Sequence, residues 1–113
     1  MSQTVILILL ALVVHFVADF RLQSNWMATN KSKNWYALLL HTSIYASCFL
    51  LFFGVKFALV TFVAHTLTDA ITSRLTSKLW KQERVHDFFV VIGFDQLLHQ
   101  AQLILTLIYF YRM

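Results

Sequence analysis

Residues 4–20 read TVILILLALVVHFVADF, and no Asp, Glu, Lys or Arg interrupts them before Asp19. A helix of about 17–20 predominantly apolar residues crosses the hydrocarbon core of a bilayer, so this run is expected to be a membrane span. Further apolar runs occupy residues 35–53, 56–73 and 88–111. The third reaches spanning length only if Thr72 and Ser73 join it, with some local thinning of the bilayer. The expected fold class is all-α: an integral membrane bundle of four transmembrane helices, forming one domain over residues 1–113.

Composition points the same way. Of the 113 residues 59% are hydrophobic and 12% charged, where a globular chain carries about a quarter charged. The mean hydropathy is +0.69. With no proline and two glycines, the turn chemistry of an all-β chain is missing. The first run has no basic leader and ends in His15-Phe16-Val17-Ala18-Asp19 instead of a small-residue cleavage site, so a retained span is expected. Cys48 has no second cysteine to pair with.

The net charge of +4 sits in the connections. Arg21, Lys31 and Lys33 lie between the first two runs, and Arg74, Lys78, Lys81 and Arg84 between the last two. Gly54-Val55-Lys56 closes a tight hairpin between the middle runs. The positive-inside rule then puts both basic loops in the cytoplasm and both termini outside, as in a bacterial inner-membrane protein. That accounts for the charge with the lipid bilayer as partner and no nucleic acid. Leu75, Leu79 and Trp80 share one face and Lys78, Lys81 and Arg84 another, which predicts a short interfacial helix between the third and fourth spans. Trp26 and Trp35 suit the interfacial aromatic belt.

Inside the spans stand His15-x-x-x-Asp19, His41-x-x-x-Tyr45, His65-x-x-x-Asp69 and Asp95-x-x-x-His99. Side chains four apart share a helix face, so each span carries one polar stripe. Thr61, Thr68 and Thr72 extend the third stripe, Gln102 and Thr106 the fourth, and Cys48 the second. Measured from Arg21, Trp35, Thr72 and Asp87, the residues His15, His41, His65 and Asp95 lie roughly 9–12 Å deep at about 1.5 Å per residue. The stripes therefore meet in one layer. An aspartate at a helix centre costs about 2.5–3.5 kcal/mol to insert, whereas interhelical polar contacts return about 0.6 kcal/mol each. Packing alone is an incomplete account of three such aspartates.

Imidazole and carboxylate together suit zinc first, with manganese or iron as alternatives, and four-helix bundles build dinuclear sites from these groups. The candidate metal ligands are His15, Asp19, His41, His65, Asp69, Asp95 and His99. They outnumber the three or four that one zinc takes, so one or two ions are expected. His15, His41, His65 and Asp69 are favoured as ligands. Asp19, Asp95 and His99 complete the set or act as catalytic acid and base. Lys31, Lys33 and Arg74 lie near the mouth of such a site, with topology anchoring the favoured reading of all three. His86 and Asp87 read as a solvated helix start. Haem is disfavoured by the carboxylate beside most of the histidines.

The strings HFVADFRLQSNWMATNK, LLLHTSIY, FVAHTLTDAITSR and FFVVIGFDQLLHQ resemble a family of small membrane proteins of bacteria and their phages, filed as a domain of unknown function. The resemblance covers nearly the whole chain. It implies His15, Asp19, Gln23, His41, His65, Asp69, Asp95, Gln96 and His99 as motif positions. The arrangement also looks like intramembrane metal-dependent hydrolases in general style, by analogy.

The expected function is a membrane-embedded metal-dependent hydrolase acting on a lipid-like phosphoryl or acyl substrate at the cytoplasmic leaflet. Two other readings stay open: an ion or proton-relay transporter, which would need a homo-oligomer for its path, and a structural or regulatory envelope protein. A transporter needs a polar stripe through the outer half, yet the first span before Ala11 and the second after Cys48 are almost wholly apolar.

Overall fold

The computed structural model describes residues 2–111; Met1, Arg112 and Met113 lie outside the described residues. Helix α1 (Gln3–Phe16) passes directly into a π-helical turn (Val17–Arg21), marked by the Leu22 N–H to Val17 carbonyl bond of 2.9 Å. A short helix α2 (Asn25–Asn30) follows, then α3 (Trp35–Phe53), α4 (Val55–Lys81) and α5 (Val85–Tyr111). Four helical segments are long and apolar enough to cross a membrane: Gln3–Arg21, α3, α4 and α5. The long axis of 45 Å matches the thickness of a bilayer with its headgroups, about 40–45 Å.

Local chemistry sets the helix ends. The Ser2 and Ser24 hydroxyls accept from Val5 and Met27 N–H at 3.2 Å, and the Asn34 side chain accepts from Tyr36 N–H at 2.8 Å. These are N-caps, each satisfying a helix-start donor that lacks a backbone partner. Between α4 and α5, Arg84 N–H bonds to the Leu79 carbonyl at 3.0 Å with Glu83 at φ 60. This is a Schellman stop with glutamate in the place usually held by glycine.

Gly54 alone separates α3 from α4, at φ 92 and ψ 175. A Cβ there would meet nothing within 4 Å, so the position demands glycine for its backbone and not for space. Gly54→Ala is expected to destabilise the bundle by about 1–3 kcal/mol, read as a lower unfolding midpoint in a denaturing-detergent titration. An unchanged midpoint would show that the hairpin relaxes.

The expected interfacial helix is not a separate element. No glycine or proline occurs between Val55 and Lys81, so nothing breaks the helix, and residues 74–81 are the last two turns of α4. The third span therefore needs no local thinning: its 27 residues extend about 40 Å. Of the apolar face assigned to the interface, Leu79 is buried, while Trp80 is exposed and lies 5.0 Å from Phe88.

Helix α1 packs on α3 and α5, and α4 packs on the same two, which leaves α1 and α4 on the diagonal of a square bundle. The partition of side chains is inside-out. Leu51 is 82% exposed and Leu67 62%, while His65 and Asp69 are 0% and 1%. Lipid solvates the apolar exterior, so the buried interior is where polar groups can satisfy one another. The end away from the basic loops is closed by Phe49, Phe53 and Phe57, stacked at centroid distances of 4.7–5.9 Å, with Leu103 and Leu107.

Candidate metal centre

The polar stripes converge as their depths predict, on one buried cluster in the half nearer the basic loops. Asp19 comes from the π turn, His41 from α3, His65 and Asp69 from α4, and Asp95 and His99 from α5. Each of these residues is at most 8% exposed.

Four atoms lie close together: Asp19 Oδ1, His41 Nε2, His65 Nε2 and Asp69 Oδ2. His41 Nε2 lies 2.9 Å from Asp19 Oδ1 and 3.3 Å from Asp69 Oδ2. His65 Nε2 lies 3.6 Å and 3.3 Å from the same oxygens, and the two imidazole nitrogens are 3.2 Å apart. A tetrahedral zinc with ligands at 2.0–2.1 Å requires edges of about 3.3–3.4 Å. The five edges average close to that, and the remaining carboxylate–carboxylate edge falls within 4.8 Å.

Hydrogen bonding accounts for part of this approach: His41 Nε2 and His65 Nε2 bond to each other at 3.2 Å, and Asp69 Oδ2 accepts from Lys31 Nζ at 3.1 Å. Asp19 Oδ1 has no hydrogen-bond partner although His41 Nε2 is 2.9 Å away, so the approach is off the N–H direction. His99 Nε2 is likewise without one at 3.1 Å from Asp95 Oδ1.

A second donor group adjoins the first. Asp19, Asp95 and His99 form it, and Asp69 Oδ1 is 3.5 Å from His99 Nε2. Asp19 thus belongs to both groups, and Asp69 offers one oxygen towards each. This is the disposition of bridging carboxylates in dinuclear bundle sites.

Charge argues for the same occupant. Among the described residues the three buried carboxylates, Asp19, Asp69 and Asp95, have one alkylammonium in contact: Lys31 Nζ, 3.1 Å from Asp69 Oδ2. With neutral imidazoles, two negative charges remain uncompensated in a site of low dielectric, a costly state. One divalent ion balances them.

An outer layer holds the carboxylates. Gln96 Nε2 donates to Asp95 Oδ2 at 3.0 Å and to Asp19 Oδ2 at 3.3 Å, while its Oε1 accepts from His15 Nε2 at 2.7 Å. His15 Nδ1 then accepts from the Tyr45 hydroxyl at 2.7 Å. Thr72 donates to Asp95 Oδ1 at 2.6 Å. Tyr45, His65 and His99 stack in series, with centroids 3.8 and 3.9 Å apart.

A cavity of about 570 Å³ opens above the cluster towards the basic loops. Asp19, Asp69 and Asp95 reach its floor, Lys31, Lys33 and Lys81 its rim, and Phe20, Trp80, Phe88 and Phe89 its apolar side.

A family profile described as a protein of unknown function, DUF3307, matches residues 6–113. The chain belongs to the DUF3307 family. No curated protein and no solved structure matches it. In this DUF3307 chain, six of the seven residues expected as ligands stand in the two donor groups.

His15 is the exception among the favoured ligands. Both of its ring nitrogens are committed to Tyr45 and Gln96, and Asp19, expected only to complete the set, takes the fourth corner. Lys31, read as a topology anchor, instead reaches the cluster. The residues it meets are distant in sequence, and no spacing rule links them. The Arg74 guanidinium lies 4.5 Å over Trp35 and donates to the Ala70 carbonyl at 2.7 Å, away from the cluster. Gln96, implied by the family resemblance alone, proves central to the outer layer. Asp87 pairs with Arg84 at 2.6 Å on the exposed start of α5, consistent with a solvated helix end.

Proposed function

We propose that this protein is an inner-membrane, metal-dependent hydrolase acting at the cytoplasmic leaflet on a lipid-like substrate with a phosphoryl or acyl bond. The observation that carries the reading is the close approach of donor atoms of Asp19, His41, His65 and Asp69, within 4.8 Å of one another, beneath a cavity. Zinc held by three of these donors, with the fourth displaced or the shell expanded to five, would leave a position for a water whose pKa it would lower to about 7, and would polarise the bond under attack. Asp95 and His99, beside it, are placed to take the proton of that water. Asp19 and Asp69, each with one oxygen towards either group, could hold a second ion. Lys31 would supply positive charge at the rim of the cavity for an anionic substrate.

A transporter is the weaker reading. The polar groups end at Thr61, Gln102 and Thr106, joined at 2.8–3.3 Å, and the phenylalanine stack lies beyond them. The site is blind and reached from one face.

Elemental analysis of detergent-purified protein tests the reading. About one or two equivalents of zinc, manganese or iron per chain are expected. A chelator should remove them with loss of thermal stability, and added zinc should restore it, because an ion bound only by the folded state stabilises that state. Protein that holds no metal even after reconstitution would rule the hydrolase out and leave proton relay or a purely structural polar layer.

A further inference from the structure

A second concavity adjoins the first. It measures about 440 Å³ and is lined by Lys33, Arg74, Lys78 and Lys81 with Ser32, Ser77 and Gln82. Ser32, Lys33, Ser77 and Lys81 belong to both cavities, so the two are compartments of one depression.

Its electrostatics are one-sided. Arg74, Lys78 and Lys81 share one face of the final turns of α4, at spacings of three and four. Like charges at such spacings destabilise a helix. The Lys and Arg ion pairs among the described residues are Lys31–Asp69 and Arg84–Asp87, so none of these four cations meets a carboxylate. Residues 70–82 contain no acid at all. Attraction to a headgroup layer needs cations anywhere on the loops. It does not need four of them around one hollow, with two serines, beside a buried carboxylate cluster.

We infer that the basic compartment is a phosphate-recognition subsite, holding the anionic headgroup of the lipid substrate while the bond to be cut lies over Asp19, Asp69 and Asp95. The inference rests on the hydrolase reading and adds a substrate class to it. Arg74 and Lys78 stand about 8 and 14 Å along α4 from Asp69 at about 1.5 Å per residue. The recognised phosphate is therefore a handle separate from the bond at the cluster. Phe20, Trp80, Phe88 and Phe89, on the apolar side of the larger compartment, suit the hydrocarbon chain. Ammonium and guanidinium groups with hydroxyls make charge-assisted bonds to phosphate oxygens.

The test is calorimetric titration of the full-length protein in neutral detergent, wild type and His65→Ala, with dihexanoyl phosphatidate, the matching phosphate-free diglyceride, and inorganic phosphate. Saturable binding of the phosphatidate to both proteins is expected, with none of the diglyceride. Lys78→Gln with Lys81→Gln should weaken it about tenfold, the scale of a lost charged hydrogen bond, and arginine at both positions should restore it. Both lysines are exposed, and circular dichroism checks that the double variant folds.

Inorganic phosphate competing at concentrations similar to the phosphatidate would assign the subsite to free phosphate. Competition only far above them would assign it to a lipid headgroup; either supports phosphate recognition. Diglyceride bound as tightly as phosphatidate, or affinity unchanged in the double glutamine variant, overturns it. Because His65→Ala already lacks a cluster ligand, phosphatidate binding there is read independently of whether the metal centre exists.

Discussion

Replacing His65 by alanine, or Asp69 by asparagine, is expected to weaken zinc binding more than a hundredfold and to leave the purified protein metal-free. Each change removes one of four converging donors, and the remaining three cannot close a tetrahedron without water. Outer-layer partners of metal ligands typically contribute about 10–100-fold in affinity, so a direct ligand should exceed that range. His15→Ala supplies the graded control. It breaks the Tyr45–His15–Gln96 chain without removing a donor atom, and should fall within the 10–100-fold range. Competition against a chromophoric zinc chelator measures all three variants. Wild-type affinity in His65→Ala would remove the cluster from consideration as the metal site.

Lys31→Met carries an effect of opposite sign on stability and affinity. Among the described residues its ammonium is the alkyl cation that meets the carboxylate cluster, through Asp69 Oδ2, and stripping one partner from a buried pair typically costs about 3–5 kcal/mol. The chelated variant should therefore unfold at markedly lower denaturant than chelated wild type. Zinc should reverse that loss and bind more tightly than to wild type, because a competing positive charge is gone from Asp69 Oδ2. Methionine keeps the unbranched apolar stem and loses only the terminal ammonium, so the comparison chiefly reports charge. If chelated Lys31→Met is as stable as wild type, Lys31 does not neutralise the cluster, and the carboxylates must be balanced by protonated histidines.

Much of this organisation is written in the chain itself. The run from Thr4 to Phe20 has no place in water, and the i, i+4 placement of His and Asp on successive apolar segments assigns a single face and depth to each. Those are local properties. Periodicity determines which side chains share a helix face, and rise per residue determines how deep they sit. The length of α4 was also available locally, since nothing between Val55 and Lys81 can stop a helix; the cationic face of its last turns resembled an interfacial segment and obscured that.

What local pattern does not contain is the rotation of one helix against another. His15 and Asp19 share a stripe, yet α1 lies diagonal to α4 and touches only α3 and α5. His15 consequently meets Tyr45 and Gln96 on those two helices. Asp19, carried on the π turn Val17–Arg21, reaches across the bundle to His41 and His65. The same applies to Lys31, delivered onto Asp69 from a loop whose sequence resembles any other basic connection. The sequence by itself determined a helical bundle with four segments long and apolar enough to cross a membrane and ionisable residues on their shared faces. Only the tertiary structure decided which of those ionisable residues lie close together, because that depends on interhelical packing and not on the period of any single helix.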